Sequence, residues 1–365
     1  MTNDWRWLLL VLSVMTLLAS AQVVVHQDST ISFCYCGEAR RVSVQSDLLY
    51  ADEDTARYTD LTRSIGMQRD SDGCFRVRTG KVSPEMYTYC FRVDGKRTPD
   101  PSNSDTVWQK KHKWNVLNIG GSPQAALYDQ PEHCGRLIRT TWYSRSEKLH
   151  RRVNIYLPAA YNAEKPCPVI YLIHGLNGYE GSWMERGRAV RIMENLAAKG
   201  ECRPMILVMP DVNVVVKENQ PSHYSLWHNI MHYPRLCRNH DIERGLADLV
   251  MYVDSAYCVS GTRFIAGISD GARIAANTAN LLTGGFEAVG MFSPVVRKEQ
   301  LPADSTLVFV YTGRRDMFHI NAEQFCRRMD KCGLPYKYTE TTGGHTWRNW
   351  RIYLADYLRR ISSVF

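Results

Sequence analysis

Phe264-Ile265-Ala266-Gly267-Ile268-Ser269-Asp270-Gly271-Ala272-Arg273-Ile274 is the stretch on which the reading turns. An apolar run reaches a serine held between two glycines, and a helix-like segment starts directly after it. Such a strand-to-helix turn is tight enough to strain the serine backbone, so its neighbours must lack bulk and its hydroxyl is pushed out at the sheet edge. So short a match arises by chance in many chains, and it gains weight only if an acid and a histidine follow in suitable places.

They do follow. Asp316 stands in Thr312-Gly313-Arg314-Arg315-Asp316, just past a predicted strand at 307–311, and His345 stands in Gly343-Gly344-His345-Thr346-Trp347, past another at 336–340. From residue 121 onward apolar runs at 168–173, 205–209, 263–266, 307–311 and 336–340 alternate with helical stretches at 189–199, 242–257, 271–282 and 321–331. That alternation predicts an α/β domain, a mostly parallel sheet with helices on both faces. Ligands of such sheets bind beyond the carboxyl ends of the strands, where all three groups fall. The order serine, acid, histidine is that of an α/β-hydrolase fold.

The residue types match one chemistry. A serine hydroxyl is a feeble nucleophile until an imidazole accepts its proton, and the imidazole needs a carboxylate to fix its tautomer. The oxyanion that forms needs preorganised donors. The expected donors are the backbone N–H of Asp270 and that of Leu176, in the loop His174-Gly175-Leu176-Asn177-Gly178, with the His174 side chain ordering that loop. Asp270 itself is a concern, because a carboxylate beside a developing oxyanion opposes it unless it turns away. Ala272 likewise adds a methyl group where helix and strand pack closely.

Several separated motifs together resemble carbohydrate esterase family one: His174-Gly175 with Trp183, the Ala266-Gly267-Ile268-Ser269 elbow, Gly313 ahead of Asp316, and Gly344-His345-Thr346-Trp347 closing with Trp350-Arg351. That group holds feruloyl and acetylxylan esterases and is related to enterochelin esterases and mycolyltransferases. The resemblance runs from about Cys134 to the C-terminus and implies catalytic roles for Ser269, Asp316 and His345, with no metal and no organic cofactor. Upstream, Tyr89-Cys90-Phe91-Arg92-Val93-Asp94-Gly95 and Asp100-Pro101-Ser102-Asn103 resemble the immunoglobulin-like domain often fused ahead of such esterases, itself similar to carbohydrate-binding modules.

The organisation read from the residues agrees. Short β-rich runs at 30–35, 41–45, 74–79 and 86–93, separated by turns such as Ser71-Asp72-Gly73, suit a small all-β sandwich over 22–120, followed by the esterase domain over 121–365. The alternating aromatics Tyr87, Tyr89 and Phe91, with Trp108, fit a sandwich core better than a sugar platform. Arg6, the apolar run from Trp7 to Leu18 and the small residues Ala19-Ser20-Ala21 predict a signal peptide over 1–21, hence export. That run is shorter than the ~20 residues that span a bilayer, so no membrane association is expected after cleavage.

The net charge of +8 over 365 residues is dispersed, which points to solubility and away from nucleic acid. In an oxidising compartment most of the 11 cysteines would pair, with Cys74–Cys90 and Cys326–Cys332 as local candidates. Cys34-Tyr35-Cys36 lacks a nearby second pair and makes a poor zinc motif. His228 and His232 have helical i,i+4 spacing, with His223 and His240 close by, but no Glu follows His228 as the zinc-protease motif requires. Trp183, Tyr224, Trp227 and Trp347 are candidate substrate contacts. The expected substrate is an ester-bearing carbohydrate, feruloyl or acetyl, or another small ester. The alternatives are a siderophore esterase or acyltransferase of the same fold, and a carbohydrate-binding protein whose esterase domain has decayed.

Overall fold

The computed structural model describes residues 20–50, 62–109, 112–213, 241–295, 301 and 306–364. Among the described residues the N-terminal part holds β1 (Ser20–Val25), β2 (Ile31–Cys36), β3 (Val42–Ser46), β4 (Arg63–Gly66), β5 (Gln68–Arg69), β6 (Phe75–Arg78), β7 (Met86–Val93), β8 (Lys96–Thr98), β9 (Thr106–Gln109) and β10 (His112–Asn118). They make two antiparallel sheets, ordered β1-β2-β6-β5 and β4-β3-β7-β10-β9, with β8 added on β7. Strict alternation in β2 sends Ile31, Phe33 and Tyr35 inward, where they meet Val42, Val44, Tyr89 and Phe91 from the other sheet. Phe33 and Tyr89 pack edge to face at 5.3 Å. Tyr87, Tyr89 and Phe91 are therefore core, whereas Trp108 is 49% exposed.

The disulfide expectation needs correction. Cys36 is bonded to Cys74, and Cys90, Cys326 and Cys332 are free thiols. Antiparallel pairing of β2 with β6, Cys34 opposite Arg76 and Tyr35 opposite Phe75, brings Cys36 beside Cys74. Cys90 sits in β7 of the other sheet and points into a different hydrophobic cluster.

The C-terminal part is built on β11 (Arg136–Ser144), β12 (Leu149–Leu157), β13 (Cys167–Ile173), β14 (Ile206–Pro210), β15 (Val259–Ile268), β16 (Ala288–Phe292), β17 (Leu307–Gly313) and β18 (Tyr336–Thr341). Its helices are α1 (Ser182–Glu185), α2 (Ala189–Ala198), α3 (Ile242–Ala256), α4 (Asp270–Leu281), α5 (His319–Lys331) and α6 (Trp347–Val364). Strand order is β11-β12-β14-β13-β15-β16-β17-β18, antiparallel as far as the β12–β14 pair and parallel from β14 onward. The sheet separates two cores. Ile170 and Leu172 of β13 join the cluster under α1, α2 and α6, while Val169, Tyr171 and Ile173 join the one under α3, α4 and α5. Burial on both faces is why these strands read as continuous apolar runs. Among the described residues no helix is long and apolar enough to cross a membrane.

The two parts are not beads on a string. Met86, Val107, Trp114 and Val116 share one hydrophobic cluster with Trp183, Ala189, Trp347 and Trp350. Two ion pairs lie in the same junction, one buried on both sides and one, at Asp105, partly exposed. Arg351 Nη2 donates to Glu85 Oε1 at 2.9 Å, and Arg188 Nη2 donates to Asp105 Oδ1 at 2.8 Å. A buried pair adds little net stability, but stripping one partner strands a charge in low dielectric. Glu85→Ala is therefore expected to cost about 3–5 kcal/mol, read by urea denaturation; a change within a few tenths of a kcal/mol would contradict the buried pairing.

Candidate active site

Strand β15 delivers Ser269 to the sheet edge with φ 57° and ψ −122°, a conformation costly for a residue with a Cβ. The surroundings enforce it. A Cβ on Gly267 would lie 2.1 Å from the Gly271 carbonyl oxygen, and one on Gly271 would lie 2.3 Å from that of His174. The glycine requirement thus falls on 267 and 271; Ala272 is fully buried in the core and its methyl group is accommodated. Ser269 N–H donates to Phe292 O, and Val295 N–H donates to Ser269 O, so the turn is pinned on both sides.

Asp316 leaves β17 through a turn closed by its own N–H donating to Gly313 O. His345 follows β18 after Gly343, which has φ 86° and room only for a hydrogen against Asn349. The structure brings these two together: His345 Nδ1 lies 3.0 Å from Asp316 Oδ1 and 3.1 Å from Oδ2. Both side chains are buried. Phe318 and Trp350 pack edge-on against the imidazole at 5.1 and 4.9 Å. With Nδ1 facing the carboxylate, Nε2 is the nitrogen left to exchange a proton. Among the described residues Ser269 Oγ makes no hydrogen bond, so the serine and the imidazole are not directly joined. Ser293, the residue after Phe292, bonds through its hydroxyl to Asp316 and accepts the Trp350 Nε1–H at 3.0 Å.

Burial works against an ionised Asp316, but the hydrogen bond and charge of His345, with the Ser293 hydroxyl and the Phe318 N–H, outweigh it and hold the carboxyl below its usual range. Ser293 is a site residue that sequence reading missed. It follows β16, a strand of five residues that carried no signal of its own.

The loop after β13 is held by His174. Val212 N–H donates to its Nε2 at 3.0 Å, so its proton resides on Nδ1 and is donated to Gly175 O at 2.8 Å. A Cβ on Gly175 would come within 3.1 Å of Ser269 Cβ, which puts this loop against the serine. Among the described residues Leu176 N–H has no acceptor. The Asp270 carboxylate is turned onto Arg273, 2.9 Å from its Nε, and Arg273 reaches on to Glu243 of α3.

The aromatic contacts need correction. Trp183 is 1% exposed, wedged between Phe292 and Trp347, and offers no face to a ligand. Trp347 is also buried, its ring under the Arg186 guanidinium. Tyr224, Trp227, His223, His228, His232 and His240 lie outside the described residues. Large apolar side chains that do reach the surface beside Asp316 are Met317 and Ile320. A cavity of about 420 Å³ lined by Lys165, Arg203, Met205 and Ile361 sits at the opposite end of the parallel strands. Among the described residues one group has metal-ligand proximity, Cys34 with Cys36 and Cys74, in the N-terminal sheets.

A depressed carboxyl has a signature in the stability of the fold. The Asp316 contribution is fully present above the ordinary carboxylate value of about 3.9 and is lost as pH falls through its lower folded value. Denaturation of the wild type and of Asp316→Asn should therefore show a gap favouring the wild type near neutrality that closes below about pH 4. A gap independent of pH would contradict the pairing.

Comparison with known proteins agrees with this frame. Residues 144–319 match the esterase family model described as "Putative esterase". Over 149 residues the chain is 28% identical to an endo-1,4-beta-xylanase/feruloyl esterase of Xylanibacter ruminicola, covering 39% of this chain; the match spans only 20% of that longer protein. Its fold is similar to that of a CE1 ferulic acid esterase from Anaeromyces mucronatus, with a TM-score of 0.52, 20% identity and coverage of 71% of this chain and 97% of that one. It is also similar to the enterochelin esterase of Shigella flexneri, with a TM-score of 0.63, 16% identity and coverage of 94% and 95%. Over residues 144–319, just under half of its length, the chain thus resembles that esterase family, and the solved esterases share its fold.

Proposed function

We propose that the chain is an exported serine esterase that hydrolyses carboxylic esters, with feruloyl or acetyl groups on plant polysaccharide as its substrates. The observation that carries this reading is the strained Ser269 turn at the end of β15, on the same edge of the sheet as the 3.0 Å His345–Asp316 pair beyond β17 and β18. Ser269 Oγ attacks the ester carbonyl as His345 Nε2 takes its proton, and Asp316 stabilises the imidazolium. The tetrahedral oxyanion is received by the N–H groups of Leu176 and Asp270. His345 returns the proton to the departing alcohol, leaving an acyl-Ser269. Water, deprotonated by the same imidazole, then releases the acid and restores the hydroxyl. Each step uses side chains and backbone of this chain, without a metal or organic cofactor.

Two further features support catalysis over a decayed binding domain. The Asp270 charge is compensated by Arg273 and so does not confront the oxyanion, and the His174 clamp keeps the donor loop in register. Met317 and Ile320 offer an apolar rim on which an aromatic acyl group would rest. In this reading the N-terminal sheets are an immunoglobulin-like sandwich that serves as a packing partner for the esterase domain.

A second reading, cleavage of a catechol siderophore ester or acyl transfer, has one observation in its favour. The enterochelin esterase fold extends over 94% of this chain, N-terminal sheets included, where the ferulic acid esterase covers 71%. Methyl ferulate, acetylated xylan and a triscatecholate ester, assayed side by side with and without an added alcohol acceptor, separate the two. Hydrolysis of one of the first two is the expected result, and turnover confined to the siderophore or to the acceptor overturns the substrate assignment. Ser269→Ala should lower turnover of whichever ester is cleaved by on the order of a millionfold while leaving the fold intact; undiminished turnover of p-nitrophenyl acetate refutes the mechanism.

A further inference from the structure

The outer face of the first N-terminal sheet gathers three sulfurs that esterase chemistry does not use. Period-two alternation sets Cys34 and Cys36 on the same half-buried face of β2, opposite to the face carrying Phe33 and Tyr35. The pairing of β2 with β6 supplies the third from 38 residues away, Cys74, whose Cα lies 4.3 Å from that of Cys36. Cys36 and Cys74 are joined as a disulfide, and the Cys34 thiol stands 3.8 Å from Cys36 Sγ. All three sulfurs fall within 4.8 Å of one another.

These spacings are those of a metal centre. With a metal–sulfur bond of about 2.3 Å, two thiolates of a tetrahedral site stand about 3.8 Å apart. The Cys34–Cys36 edge already has that length. Once the disulfide is opened, the other two edges need only side-chain adjustment, because the strand pairing fixes the three backbones. The spacing Cys34-Tyr35-Cys36 looked poor for zinc for want of neighbouring ligands, and the fold provides one.

We propose that Cys34, Cys36 and Cys74 form a redox-gated site for one thiophilic cation of the Zn²⁺ or Cu⁺ type: closed as the Cys36–Cys74 disulfide plus one thiol, open as three thiolates. Opening breaks the sulfur–sulfur bond with two electrons and two protons, both from a dithiol that becomes a disulfide, or with the electrons from a phosphine and the protons from the water whose oxygen ends in the phosphine oxide. Binding a dication then releases three protons, one from each thiol, and leaves a fourth coordination position to water at this half-buried face. Thiolate ligands select soft cations over Mg²⁺ or Ca²⁺. Arg76 is the register partner of Cys34, with its guanidinium paired to Asp70 and Asp72.

The test uses the full chain and Cd²⁺ as probe. The protein is reduced with a phosphine, freed of it without air and titrated while the thiolate-to-cadmium charge-transfer absorption is followed. Cys134 and Cys332, the exposed free thiols among the described residues, are replaced by serine in the background. The site predicts uptake of one tightly held Cd²⁺ by the reduced protein, none by the oxidised protein and loss of that uptake in Cys34→Ser. Because Cys34→Ser retains the Cys36–Cys74 disulfide, its fold is secured before reduction. Equal uptake by reduced wild type and reduced Cys34→Ser, or no uptake by either, overturns the proposal. Ester turnover does not enter the measurement.

Discussion

The approach of three glycines around one strained serine organises the C-terminal half of this protein. Gly267 must pass under the carbonyl of Gly271, Gly271 under that of His174, and Gly175 beside Ser269 itself. A methyl group at 267 or 271 would collide with backbone, which cannot yield as a side chain can. Ser269 is held in an unfavourable region of backbone space because the strand before it, the helix after it and the loop across from it all need that close contact. The same contacts bring the donor loop and the hydroxyl to one edge of the sheet, so strain and function have a common origin.

The Asp316–His345 pair depends on packing from further away. Trp350 links the His345 ring to Ser293, and Ser293 links onward to Asp316. The next residue, Arg351, carries the buried ion pair to Glu85 in the N-terminal part. The helix that begins two residues after His345 is thus anchored in the other half of the chain. The N-terminal sheets pack against the element that carries Trp350 and Arg351.

Much of this was legible in the sequence, and the exceptions have physical causes. The elbow, Asp316 and His345 could be found because each needs glycine punctuation at a strand end, a local pattern. Strands β13 to β15 and β17 could be found because burial on both faces makes their sequences continuously apolar, whereas β18 is a half-exposed, polar edge strand. Edge strand β11, with arginines and threonines facing water, lacks that signature. Helix α6, dense in tryptophan and arginine, reads as polar and aromatic, although one side of it is wholly buried. Cys36–Cys74 could not be found because sheet register, rather than proximity in the chain, decides which sulfurs meet. Trp183 was misjudged since an aromatic near a predicted site carries no mark of whether it faces a ligand or the core. The harmless outcome at Asp270 hinged on an arginine three residues on, one helical turn away and visible in principle by i,i+3 spacing.

The central claim is that Ser269 is activated by the His345–Asp316 pair. The direct measurement is mass-spectrometric mapping of the adduct formed by a fluorophosphonate, which reports the activated oxygen whatever the natural ester. The account predicts one adduct, on the peptide holding Ser269, formed rapidly in the wild type and far more slowly in His345→Ala. An adduct on any other residue, or one on Ser269 at a rate indifferent to His345, would contradict it.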